Sequence, residues 1–396
     1  MISEKMKGLV AGNSVIRAMF EEGKKMAKEF GRENVYDFSL GNPSVRPPKE
    51  VREAMVKILE TEDENYVHGY MSNGGYEEVR EKIAASLNKR FGTHLAGKNI
   101  LMTVGAAGGL NVILKTLLNP GDEVLTFTPF FVEYRNYVNN FDGVLVQLPV
   151  NFAGGFRPDP EALAAAITPK TKALIVNTPN NPTGVVYSAE DITKIADVLR
   201  AKQEEYGTEI YLIADEPYRE LAYDGVEVPY LTNFYDNTIV GYSYSKSLSL
   251  PGERIGYLVI PDEVTDADTV IAGASVANRI LGFVNAPSLI QLTVAECLDS
   301  EVDVAAYDRN RKLLYESLIG MGYHCIKPEG AFYLFVETPV DDKAFSEKAK
   351  EEHLLVVPGS SFGCANYVRI AYCVDYDMIE RSLPAFRRVA EYYGLA

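Results

Sequence analysis

Tryptophan is absent from the 396 residues, and cysteine is scarce: Cys297, Cys325, Cys364 and Cys373 are the only four. Their spacing matches no metal-ligand pattern and they are too few for a disulfide framework, so a zinc module or a disulfide-stapled secreted scaffold is disfavoured and reduced, mostly buried thiols are expected. Positive charge is also in deficit. Lys and Arg number 39 against 55 Asp and Glu, a net charge of -16. Such a surface repels a phosphate backbone, which argues against nucleic acid and anionic membranes as partners and requires any anionic ligand to be met by a local cluster of donors. No stretch approaches the roughly 18 apolar residues of a membrane span, and the opening MISEKMKGLV carries no apolar run suited to a signal sequence. A cytoplasmic protein is expected. Low-complexity tracts and internal repeats are missing as well.

What is present is globular composition, 47% hydrophobic and 24% charged, in a chain long enough for two domains. From about Lys49 onward, helical periodicity alternates with short apolar runs, the pattern of a wound α/β sheet. Val79, Ile83, Leu87 and Phe91 recur at four-residue steps on one helix face, and NILMTV at 99 to 104 follows as a strand. A helix then opens at GAAGG and stops at NPGD. Further strands are expected from EVLTFT, VLVQLPV, KALIVN, IYLIAD, TIVGYSYS and RIGYLVI, mostly continuous apolar runs that suit strands covered on both faces. From about residue 297 the pattern changes to a long helix, the strands AFYLFVE, LLVVPG and YVRIAY, and a terminal helix. The expected division is a large domain of residues 48–296 and a smaller α+β domain of 297–396, joined by residues 1–47 with their helix near Ile16 to Phe30 and their strand YDFSL.

Ligands of an open α/β sheet collect beyond the carboxyl ends of its strands, so the residues following each apolar run carry the chemistry. LIVN runs into TPNNPTG, LIAD ends at Asp215 with Tyr218 three residues on, and GYSYS leads to Lys246. Lys246 lies in SYSKSLSLPGERIGY, where its amine can condense with an aldehyde while Ser243, Ser245 and Arg254 offer donors to a phosphate on the same molecule. Gly105, Ala106 and Ala107 open a helix directly after a strand, and the unpaired amides of a helix N-terminus form an anion cradle. That run lacks the Lys-Ser/Thr of a nucleotide phosphate loop and the spacing of a dinucleotide fingerprint. Arg369 sits inside the apolar strand NYVRIAY, where an unpaired guanidinium is costly and a bidentate grip on a substrate carboxylate is the functional alternative to an ion pair. Asp215 alone reads first as a turn-capping aspartate, and its functional reading comes from Lys246 at the next strand end; Asn181 alone reads as a turn residue.

Ser243, Lys246, Gly252, Arg254 and Gly256 together match the lysine signature of class I/II aminotransferases, which the chain resembles from the Gly41 turn to Arg369. The resemblance implies the fold-type-I architecture: a large, wound, mostly parallel mixed sheet and a small domain made by both chain ends. It implies pyridoxal 5'-phosphate as cofactor, held as a Schiff base by Lys246, which then moves the Cα proton. Asp215 corresponds to the carboxylate beside the pyridine nitrogen, Asn181 and Tyr218 to donors toward the ring oxygen, and Phe131 to the aromatic stacked on the ring. Many relatives carry a hydroxyl where Ala107 stands. Gly41 and Arg369 match the positions that meet the substrate carboxylate. Tyr70 corresponds to a tyrosine reaching the neighbouring subunit's phosphate, or is a loop aromatic; Arg279 lies near a position gripping a distal carboxylate across the dimer, one residue out of register, or is a surface helix arginine. A homodimeric enzyme transferring an amino group between an L-amino acid, aspartate in type, and a 2-oxo acid is therefore expected. A fold-type-I lyase, decarboxylase or cyclopropane-forming synthase would use the same residues. A transcription regulator on this fold would need an added basic module, and a scaffold role would leave the strand-end polar cluster unexplained.

Overall fold

The computed structural model describes residues 2–11 and 15–395. Helices Glu4–Ala11 and Val15–Phe30 lead to a short strand β1 (Tyr36–Asp37). Seven strands then form one sheet: β2 (Ile100–Thr103), β3 (Glu123–Phe127), β4 (Val144–Leu148), β5 (Thr171–Asn177), β6 (Tyr211–Asp215), β7 (Thr238–Ser243) and β8 (Gly256–Val259). Their spatial order is β2-β8-β7-β6-β5-β3-β4. Strands β4, β3, β5, β6 and β7 run parallel, and β8 runs antiparallel to both its neighbours. The fold is thus α/β with a mixed, mostly parallel sheet.

The apolar runs have a direct physical cause. Side chains alternate across a sheet, so a strand covered on both sides must be apolar at odd and even positions alike. In β5, Leu174 and Val176 enter one core cluster while Ala173 and Ile175 enter the opposite one. Leu212 and Ile213 of β6 divide in the same way. Helix Glu77–Phe91 seals one face with Val79, Ile83 and Leu87, all buried.

Beyond the sheet, helix Val304–Gly320 precedes β9 (Tyr333–Glu337), β10 (Leu354–Leu355), β11 (Val357–Pro358) and β12 (Tyr367–Ala371), and helix Tyr376–Tyr392 follows. Strand β12 lies between β11 and β9, antiparallel to both. The chain's two ends meet here: β1 pairs in parallel with β10, Tyr36 opposite Leu354. Phe38, from the first of these ends, is fully buried in the same cluster as Phe332, Ile370 and Phe386.

Most expected strands are shorter than their apolar runs, and LLVVPG divides into β10 and β11, which join different sheets. TIVGYSYS ends at Ser243, because the Ser243 hydroxyl accepts from the Ser245 amide and caps a helical turn, Tyr244–Ser247. RIGYLVI begins pairing at Gly256, since Arg254 adopts a left-handed conformation with φ 52°. YDFSL pairs only over Tyr36–Asp37. Among the described residues no helix is long and apolar enough to cross a membrane. All four cysteines are free thiols, and Cys325 alone is not fully buried.

Candidate active site

The adjacent carboxyl ends of β5, β6 and β7 open onto a cavity of about 270 Å³, closed from the far side by β9 and β12. Asn177, the last residue of β5, ties this edge together. Its Nδ2 donates to the Asp215 carbonyl at 2.8 Å, and its Oδ1 accepts from the Asn181 amide at 2.8 Å. The turn bearing Asn181 is thereby held against the end of β6.

Asp215 is buried, and its Oδ2 accepts from the Tyr134 hydroxyl at 2.5 Å. Its Oδ1 is buried with no partner. Burial disfavours the ionised form and pushes the carboxyl up to about 6, partly countered by the Tyr134 bond. Tyr218 stands beside it, sharing a 2.9 Å hydrogen bond with the Tyr333 hydroxyl.

Lys246 occupies the helical turn after β7, one step beyond the strand end. Its Nζ donates to the Gly41 carbonyl at 2.6 Å and lies 5.2 Å from the centre of the Phe332 ring. Burial pushes the amine down to about 8, with the nearby charges of Arg369 and Arg254 acting in the same direction. A side chain on Gly41 would collide with the Tyr333 hydroxyl, so only glycine lets this backbone approach the lysine.

One end of the cavity is rich in donors. The Ser243 hydroxyl donates to the Ser245 hydroxyl at 2.8 Å, and both residues line the cavity with Arg254, Ala106 and Ala107. Gly105 begins helix Gly105–Leu117 at φ 68°, and a Cβ there would lie 2.8 Å from the Arg254 guanidinium. The absent side chain brings guanidinium and helix N-terminus together, a pairing suited to an anion. Phe131 lines the neighbouring wall, edge-on to Tyr134, whereas Phe130 is buried in the core.

Arg369 extends from β12 to the opposite end. It is 2% exposed, donates to the Asn181 Oδ1 at 3.0 Å and to the Ser39 carbonyl at 2.6 Å, and lies 4.5 and 4.9 Å from the ring centres of Tyr333 and Phe362. No hydrogen-bond partner meets its Nε, and it forms no ion pair among the described residues. A buried guanidinium without a counter-charge is costly, and an incoming carboxylate would remove that cost. Because Asn181 gives its oxygen to Arg369, its amide nitrogen remains the donor end.

Lys246, Asp215, Tyr218, Asn181, Phe131, Gly41, Arg369 and the phosphate-end residues therefore share one cavity, with Gly105 in contact just behind it. Tyr70 and Arg279 do not line it. Tyr70 is 96% exposed, and Arg279 is exposed in the last turn of helix Ala267–Ile280. Three participants escape the motif reading: Asn177, Tyr134 and Tyr333. Asn177 obeys the same strand-end rule as Asp215, but Tyr134 and Tyr333 are 81 and 115 residues from the partners they hold, and no local pattern marks them.

A wound α/β fold with a half-buried lysine, a buried carboxylate and an unpaired guanidinium facing one cavity defines an enzyme acting on small anionic molecules. Residues 33–386 match the family described as aminotransferase class I and II, and the chain belongs to that family. It is an aminotransferase. It is 31% identical to an aspartate aminotransferase of Pyrococcus horikoshii over 97% of this chain and 96% of that protein. It is 32% identical to an aspartate/prephenate aminotransferase of Thermus thermophilus over 89% and 90% of the two chains. Among solved structures, an amino transferase from Eubacterium rectale is 48% identical with a TM-score of 0.96, covering 99% of both chains. The Thermus thermophilus aspartate aminotransferase with maleate is 28% identical with a TM-score of 0.88, covering 98% of this chain and 99% of that one.

Proposed function

We propose that this aminotransferase uses pyridoxal 5'-phosphate and moves the amino group of a dicarboxylic L-amino acid, aspartate in type, to a 2-oxo acid. The observation that carries the reading is the buried, unpartnered Oδ1 of Asp215 in the same cavity as Lys246. A protonated ring nitrogen satisfies that oxygen, so the residues fit the cofactor. The cofactor, when bound, supplies an aldehyde and an electron-withdrawing ring. Ser243, Ser245, Arg254 and the amides of Gly105, Ala106 and Ala107 would hold its phosphate. Asp215 would keep the ring nitrogen protonated, Phe131 would offer its ring to the cofactor ring, and Tyr218 and the Asn181 amide would donate to the ring oxygen. Lys246 would hold the aldehyde, and its amine, whose lowered affinity for protons suits a base, would carry the proton away from the substrate Cα. Arg369 would grip the α-carboxylate and so orient the bonds at the substrate Cα.

Within its own chain the cavity offers only Lys246, Arg254 and Arg369 as cations among the described residues. A distal carboxylate is accordingly met by Arg279 of a second copy, and Tyr70 reaches that copy's phosphate site. The enzyme is on this reading a cytoplasmic homodimer whose large domain spans residues 48–296 and whose small domain combines 1–47 with 297–396. The names of the Pyrococcus and Thermus relatives support the dicarboxylic substrate. The test is to add single L-amino acids without oxo acid and identify products by mass. Aspartate should yield its matching oxo acid with transfer of the amine to the cofactor; release of ammonia or carbon dioxide instead would place the protein among the lyases or decarboxylases. Arg279→Ala should depress kcat/KM for aspartate by roughly tenfold or more and leave alanine almost untouched, and equal losses would remove the dicarboxylate assignment.

A further inference from the structure

Behind the catalytic lysine lies a second cavity, of about 350 Å³, within the ~300–1,000 Å³ range of small-molecule sites. Two short segments separate it from the active site, and each faces both ways. The helical turn Tyr244–Ser247 places Lys246 in the active site and Tyr244 and Ser247 in this cavity. The stretch from Asp215, at the end of β6, to Glu220 places Asp215 and Tyr218 in the active site and Glu220 in this cavity. Its outer rim is the segment from Cys297 to Val304, which enters helix Val304–Gly320.

The wall is aromatic and its polar groups are only partly satisfied. The rings of Tyr242 and Tyr257 stack with centres 4.9 Å apart, and Tyr244 meets Tyr242 edge-on at 5.3 Å. Glu220 is occupied: it accepts from Arg90 at 2.8 and 2.9 Å and from the Tyr242 hydroxyl at 3.1 Å. Tyr244 and Tyr257 are different. Both are about 95% buried and line the cavity, yet their hydroxyls meet no hydrogen-bond partner among the described residues. Burial holds both phenols neutral. Asp299 and Glu301 stand exposed at the rim without an ion-pair partner among the described residues.

With Arg90 neutralised by Glu220, the uncompensated charge is negative, and aromatic walls with rim carboxylates attract a cation that has an apolar body. We propose that this cavity is an effector site for a small organic ammonium ion, coupled to the Lys246 site through the two shared segments. The cavity shares no lining residue with the substrate cavity, while its coupling rests on Lys246 being the catalytic lysine.

Benzyltrimethylammonium is the probe, because a quaternary ammonium cannot condense with an aldehyde. It should bind the holoenzyme saturably, one per chain by calorimetry, in the presence of a saturating dicarboxylate that fills the active site, and saturation should change the transamination rate at least ~2-fold. The double variant Asp299→Asn with Glu301→Gln should weaken binding by roughly fivefold to tenfold. Ser86→Trp, placed on the half-exposed side of helix Glu77–Phe91, should fill the cavity and abolish binding while transamination persists. Absence of saturable binding, displacement by the dicarboxylate, insensitivity to both variants, or an unchanged rate at saturation would each overturn the proposal. Loss of transamination in the unmodified enzyme would instead count against the active-site reading, so the two failures are distinguishable.

Discussion

Asp215 carries the conflict between stability and chemistry in its most concentrated form. A buried carboxylate with one unpartnered oxygen is unfavourable unless something positive arrives. Burial holds its folded pKa at about 6, above the ordinary 3.8 of an aspartate, so the folded state binds this proton more tightly than the unfolded chain. Stability of the cofactor-free protein should therefore fall as pH rises from about 4 to about 6, the interval between the two values. Asp215→Asn should flatten that slope and, measured by urea unfolding above pH 7, stabilise the cofactor-free protein by about 1–2 kcal/mol, less than the full ~1.4 kcal/mol per pKa unit because the new amide is itself poorly satisfied. The same variant should lower kcat by at least ~100-fold, since no anion remains beside the ring nitrogen. Tyr134 acts through Asp215, as a positioning residue. Its 2.5 Å bond favours the ionised carboxyl, so Tyr134→Phe should move the acid limb of the kcat profile to higher pH. A loss of rate with an unmoved limb would reduce Tyr134 to a packing role.

At the level of elements, strand β12 is built to present Arg369. Its central place between β9 and β11 fixes the backbone, Val368 and Ile370 anchor it in the core, and the alternation of the strand sends Arg369 to the cavity side. The arginine holds the Asn181 turn of the large sheet, so a single side chain links the two sheets across the cleft. Arg369→Lys keeps the charge and loses the planar fork. It should lower kcat/KM for amino acids by roughly 10- to 100-fold, and amines that lack a carboxylate should show no such loss. The capped turn Tyr244–Ser247 has a comparable purpose. By ending β7 at Ser243 it turns Lys246 toward the Gly41 carbonyl rather than along the sheet edge.

For the whole molecule, the decisive matter is that Tyr70 and Arg279 are exposed and do not line their own chain's cavity. If active sites are shared, Lys246→Ala and Arg279→Ala proteins, each poor with aspartate, should complement when unfolded and refolded together. Half the dimers would be hybrids with one intact site, restoring about a quarter of the wild-type aspartate activity per chain. Mixing that restores nothing would separate Arg279 from the neighbouring site.

The sequence by itself determined the alternation of helix and strand, because each strand's need for two apolar faces is written as a local run, as in KALIVN and IYLIAD. It also determined the lysine segment and the strand-end residues Asn181 and Asp215, since strand termini can be read from where those runs stop. Residues whose meaning depends on distant partners were left to the tertiary structure. Tyr134 and Tyr333 look like ordinary aromatics until folding sets them against Asp215 and Tyr218. Arg369 acquires its force only once burial has removed water and supplied no counter-charge. Local patterns encode elements, whereas the balance between desolvation and pairing belongs to groups that the chain brings together only in three dimensions.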